Sequence, residues 1–209
     1  MDNYEYIIAS LPVLHPEDVR ADHLIASELI DEIREQLSAP DNAALDFLLS
    51  GYDPDQMTPE FYQRALKHKN RFLRQWFAFD LDLRNTTVAY LNDSLGREEG
   101  QDIMQLEGRG REEFPEEESV NKVLRGADIL ERESGLDELR WRKIEEITMM
   151  NYFDIEAVLG FVAKLKIIDR WLQLDPDSGR ALFRRMVEEI RSTYDNKKQN
   201  IAIGQQQER

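Results

Sequence analysis

Apolar residues recur along most of this chain at steps of three and four, the period of a helix with one buried face. The pattern is densest from Thr58 to Ser94, where Phe61, Phe72, Trp76, Phe79, Leu83 and Leu91 fall on one stripe. No Pro or Gly interrupts the run between Glu60 and Leu95. Thr58 suits an N-cap, Pro59 the first helical position and Gly96 the C-cap. The spacing predicts one spine helix over 58–94, roughly 50 Å long at about 1.5 Å per residue.

The remaining elements are shorter. Tyr4 to Leu11 is aromatic and β-branched enough for a short strand or extended segment, closed by Pro12. A helix is expected from Pro16 to Leu37, and Ser38-Ala39-Pro40 should break it. Asp41 then caps a helix that stops at Gly51. Gly96 to Glu118 is dense in Gly, Glu and Arg, which reads as a flexible charged linker. Beyond it, helices are expected over Glu116–Glu133, Leu136–Met150 with Gly135 as the break, and Asp154–Leu174. A last one starts at Asp175-Pro176 and ends near Tyr194. The fold class is therefore all-α, an elongated helical bundle of about two units. Residues 1–95 form the first, 96–118 the linker, 119–195 the second and 196–209 a polar tail.

Composition narrows the setting. The 209 residues are 41% hydrophobic and 33% charged, enough to bury a sizeable core. No apolar run approaches the roughly 20 residues of a membrane span. The opening MDNYEYIIASLPVL carries acids ahead of a short apolar stretch, unlike a secretory signal. With no Cys, disulfide and thiol chemistry are excluded, and a cytoplasmic location is expected. The net charge of -15, from 42 acids against 27 bases, opposes general nucleic-acid binding. It suits solubility or docking onto a basic protein surface.

Sites for chemistry are scarce. There is no H-E-x-x-H, no Glu-x-x-His pair and no EF-hand loop, and His15, His23 and His68 read as surface residues. Gly108-Arg109-Gly110 lacks the ending of a phosphate-binding loop, and G-x-S-x-G is absent. The expectation is a protein that is no enzyme, with no catalytic, cofactor-binding or metal-ligating residue. Two features of the spine remain. In FDLDLRN, Asp80 falls inside the apolar stripe near Trp76 and should pair with Arg84, one turn on, while Asp82 and Asn85 turn the other way. The basic face Arg64, Lys67, Arg71 and Arg74 reads as solvated or meeting acids elsewhere. Phe72 and Trp76 point away from it, so stacking and charge do not converge as single-stranded nucleic acid requires.

These residues carry a resemblance. Asp80, Asp82 and Asn85 amid aliphatic residues resemble the signature helix of the C subunit of V/A-type ATPases, known as the d subunit in eukaryotic V-ATPases. The stretch from Asn151 to Ile190, with Phe153, Gly160, Lys164, Arg170 and Gly179, is similar to that family's closing helices. The overall pattern, including YEYIIASLP, is closer still to an uncharacterised bacterial family encoded among V-type ATPase genes and regarded as divergent counterparts of the C subunit. The C subunit proper is longer, with three similar helical units where this chain has room for about two. The resemblance implies a noncatalytic part in ATP-driven ion (hydrogen ion) transport, coupling the central stalk, or rotor shaft, to the membrane rotor ring. Shaft and ring subunits would be its protein–protein partners. Membrane association would be indirect, placing the chain at the cytoplasmic side of the inner membrane. Asp80, Asp82, Arg84, Asn85, Trp76, Lys164 and Arg170 would be structural or interface residues. The alternative class is a free-standing acidic helical adaptor or regulator.

Overall fold

A computed structural model describes residues 4–15, 25–107 and 114–173, and among them the fold is all-α. The helices are α1 (Tyr4–Ser10), α2 (Ala26–Gln36), α3 (Ala39–Ser50), α4 (Pro59–Leu66), α5 (Arg71–Leu95), α6 (Glu117–Leu124), α7 (Ile129–Thr148) and α8 (Ile155–Leu172). The chain divides into two compact units, Met1–Asp169 and Arg170–Arg209. The first holds the whole of α1 to α7.

The expected spine is two helices. Its stripe continues from α4 into α5, but the backbone breaks over 67–70 because that segment is capped from both sides. The Asn70 side chain accepts from the Leu73 N–H at 3.0 Å and starts α5 as an N-cap. Arg74 Nη1 reaches back to the carbonyls of His68 and Lys69 at 2.6 and 2.7 Å, holding the connection between the two helices. α5 alone has 25 residues, about 37 Å at the usual rise. It ends at Gly96, whose φ of 62° is the left-handed conformation a C-cap glycine provides.

Other boundaries differ from the sequence pattern for equally local reasons. Tyr4–Leu11 is helical, not extended. The Tyr4 hydroxyl donates to Asp41 Oδ2 at 2.6 Å, and Ile7 is buried. The expected break at Ser38-Ala39-Pro40 is present, since α2 ends at Gln36, but α3 starts at once with Pro40 in its first turn and Ser38, not Asp41, as its cap. Ser38 is the N-cap, accepting from the Asp41 N–H and donating to the Asp41 carboxylate. Residues 16–24 of the expected second helix lie outside the described residues, as do the expected 176–194 helix and the tail.

After the linker, Gly135 sits inside α7, and the break falls at 125–128. There Asp128 caps α7 by accepting from the N–H groups of Leu130 and Glu131. Gly135 serves packing: a Cβ there would stand 2.7 Å from Val123 Cγ1, so the missing side chain lets α6 lie close on α7. Gly160 does the same for α8, with Thr148 Cγ2 at 2.6 Å from the place of its absent Cβ.

The core forms around α5, which packs on α4, α6 and α7. Phe61, Tyr62, Phe72, Phe77, Ile144 and Val158 are buried in it. Helices before and after residues 96–118 thus share one core, and the expected division between an N-terminal and a C-terminal unit at that stretch gives way to a single unit reaching Asp169. Burial of apolar surface contributes about 25 cal/mol per Å², so these fully covered aromatic rings dominate the cohesion between α4 and α5. Among the described residues no helix is long and apolar enough to cross a membrane.

Candidate functional site

The middle of α5 carries a carboxyl group into helix packing. Tyr62, fully buried on α4, donates its hydroxyl to Asp80 Oδ2 at 2.6 Å. Burial raises the Asp80 carboxyl above its ordinary range, against the opposing pull of Tyr62, Arg140 and Arg84. The Tyr62 phenol is pushed up by burial and by the Asp80 charge. Tyr52, just after α3, joins the group. Its hydroxyl is buried, and burial together with the Asp80 and Asp137 charges raises its pKa against the opposing pull of Arg140 and Trp76. From α7, Arg140 is held by Asp137 at 2.8 Å, and Asp137 is itself buried.

The expected Asp80–Arg84 ion pair is therefore not the arrangement found. Arg84 is exposed, and the direct bond to Asp80 comes from Tyr62; Arg140 and Arg84 act on the carboxyl through their fields. An aromatic hydroxyl suits this place better than a guanidinium, because it satisfies the oxygen without burying a second full charge.

The amides of α5 are also engaged. Asn85 donates Nδ2–H to the Met104 carbonyl and accepts from the Met104 N–H, both at 2.9 Å. About two helical turns beyond it, buried Asn92 donates to the Gln101 carbonyl at 2.5 Å. Together they strap residues 96–107 back along the end of α5, with Leu106 buried under the strap. The expected flexible linker is, over these residues, a fixed return. Gly100 and Asp102 supply its turns at φ 83° and 60°. Asp82 lines a hollow of about 780 Å³ between α5 and this strap, beside Asn85, Met104 and Phe114. Asp80 does not line it.

The family model described as "Protein of unknown function (DUF2764)" matches residues 53–194. The chain belongs to this family. The matched segment holds α4 to α8, and with them Tyr62, Asp80, Asn85 and Arg140. No curated protein and no solved structure matches the chain.

The other expected residues of this family member fall in separate places. Trp76 is 3% exposed and stacked between Phe72 and Phe79, at centroid distances of 6.4 and 6.0 Å, so it is core and not an open interface. Lys164 on α8 donates to Glu145 Oε1 at 3.0 Å and lies 4.7 Å over the Trp141 ring. Trp141 Nε1–H donates to the same oxygen, so this trio joins α7 to α8. Arg170, in the second compact unit, sits over the ring of its neighbour Trp171 at 5.4 Å.

Two residues that sequence reasoning left aside, and one that it placed on the basic face, matter here. Tyr62 and Tyr52 are aromatics with a polar tip, and an acid inside an apolar stripe signals the need for such a donor. Arg71 anchors the start of α5. It donates to Glu156 Oε2 at 2.6 Å, to Asn151 Oδ1 at 2.6 Å and to the Ile147 carbonyl at 3.2 Å. Among the described residues no group of three or more His, Asp or Glu is placed to hold a metal ion. The arrangement ties α5 to α4, to the α7–α8 turn and to the returning strap.

Proposed function

We propose that this chain is a noncatalytic coupling protein, similar in role to the C subunit of V/A-type ATPases, linking the central rotor shaft to the membrane rotor ring from the cytoplasmic side. The observation that carries the reading is the bracing of α5. The residues that resemble the rotor signature, Asp80 and Asn85, are the ones that tie this helix to α4 and to the returning strap. Arg71 fixes its first turn to the α7–α8 turn, and Asn92 fixes its last. A helix tied along its length resists bending, as a part that passes torque must.

Two surface properties support a protein-contact role. The α7–α8 turn exposes Met149, Met150, Tyr152 and Phe153, each by more than half, and exposed apolar clusters mark contact sites. The net charge of -15 favours encounter with a basic partner.

The test is purification of the tagged, full-length chain from native membranes under mild detergent. Recovery with V-type ATPase shaft and ring subunits is expected. Recovery only from the soluble fraction, free of those subunits, would overturn the reading. A partner unrelated to ion transport would instead support the free-standing adaptor.

A further inference from the structure

Positive charge in this acidic chain gathers in one place. From Arg64 to Arg74 the sequence holds five Arg and Lys residues and no acid, within a chain of net charge -15. The break between α4 and α5 folds this run around an open groove of about 870 Å³, walled on the far side by the first turns of α3.

The five cations divide into two sets. Arg71 and Arg74 serve the fold, on Glu156 and on the carbonyls of His68 and Lys69 between α4 and α5. Arg64 lies over the Phe47 ring at 5.9 Å and is exposed. Lys67 and Lys69 are exposed and make no ion pair among the described residues. The acids on the rim are engaged: Asp41 accepts from Tyr4 and Ser38, and Glu60 sits in the first turn of α4 beside Thr58. Opposite the cations, Pro40 and Ala43 of α3, with Ile155, give the groove an apolar lining.

We propose that this groove binds an acidic peptide segment of a partner protein. Its carboxylates would meet Arg64, Lys67 and Lys69, and its aliphatic side chains would rest on Ala43 and Ile155. This surface is distinct from the exposed apolar cluster of the α7–α8 turn and extends beyond the coupling role. A peptide fits better than nucleic acid for two reasons. The ring in the groove's lining, His68, already packs on the Phe47 ring at 4.9 Å. The acidic field of the whole chain repels an extended polyanion far more than a short segment, and the attraction is local.

The experiment is fluorescence anisotropy on the full chain with a labelled peptide of alternating Glu and Leu, against a Gln–Leu peptide and a single-stranded oligodeoxynucleotide. Saturable binding of the acidic peptide alone is expected, weakening severalfold as salt is raised to screen the contact. Lys67→Glu with Lys69→Glu should weaken it at least about tenfold, as reversing paired charges does. Lys67→Gln with Lys69→Gln should have an intermediate effect. Lys122→Glu, an exposed charge reversal on α6, should leave it unchanged, and circular dichroism verifies the helix content of each variant. The proposal is overturned by equal binding of the Gln–Leu peptide, by tighter binding of the oligodeoxynucleotide, by no binding, or by indifference to the Lys67 and Lys69 changes.

Discussion

The Tyr62 hydroxyl donates to Asp80 Oδ2 across 2.6 Å, and this bond joins α4 to the middle of α5 where the two helices bury their aromatic faces. Removing the donor leaves a carboxyl group in a covered site without its direct partner. Tyr62→Phe should therefore lower unfolding stability by about 1–3 kcal/mol. Urea denaturation measures it, with the slope unchanged because the same surface is exposed on unfolding. Wild-type stability in the variant would show that the bond contributes nothing to the packing.

Asp80 also makes stability depend on pH in an unusual direction. Burial holds its carboxyl above the ordinary range, outweighing Tyr62, Arg140 and Arg84. In the window from the unfolded value of about 3.9 up to the raised folded value, the folded state binds this proton more fully than the unfolded chain. The stability from this group is then greatest at the acid end and falls as pH rises through the window. Asp80→Asn removes the titration. The stability difference, variant minus wild type, should move in the variant's favour as pH climbs and level off above the window. Urea midpoints measured at several pH values check it; a flat difference would mean that Asp80 titrates alike in both states.

Gly135 tests the closeness of α6 and α7. Gly135→Ala places a methyl 2.7 Å from Val123 Cγ1, and overpacking of this kind costs about 1–3 kcal/mol. Adding Val123→Ala removes the obstructing methyls. The double variant should lose less than the sum of the two single changes, a coupling that a double-mutant cycle reads directly. Additive losses would place the two residues out of contact.

The helical class was legible because amphipathic spacing is a local property that packing preserved in α5, α7 and α8. The breaks were not, for a physical reason. Asn70 and Asp128 act as N-caps inside apolar patterns that continue across them, so periodicity alone joins what a side chain separates. Gly135 shows the converse: a glycine that reads as a breaker is kept for close approach. The site was half legible. Asp80 announced itself as an acid on a buried stripe, but its partner lies 18 positions away on another helix, and a pattern along one helix proposes only the neighbour four residues on. The strap was least legible. Its composition is that of a linker, and the two amides that hold it, Asn85 and Asn92, stand on the preceding helix.

Those amides permit a decisive test of the strap. Asn85 closes two hydrogen bonds with the backbone of Met104, one as donor and one as acceptor, so its substitutions can be graded. Asn85→Asp keeps the acceptor for the Met104 N–H but loses the donor and sets a carboxylate against the Met104 carbonyl. Asn85→Leu loses both bonds and leaves two backbone groups unpaired beside buried Leu106. Hydrogen exchange at the Met104 amide should accelerate in both variants, more in Asn85→Leu, as local opening becomes easier. Global stability should fall by about 1–3 kcal/mol in Asn85→Leu. Exchange in α4, which Asn85 does not touch, should change only as far as global stability does. If the Met104 amide exchanged at the wild-type rate in Asn85→Leu, residues 96–107 would be held by something other than this amide, and the bracing of α5 would lose its support at that end.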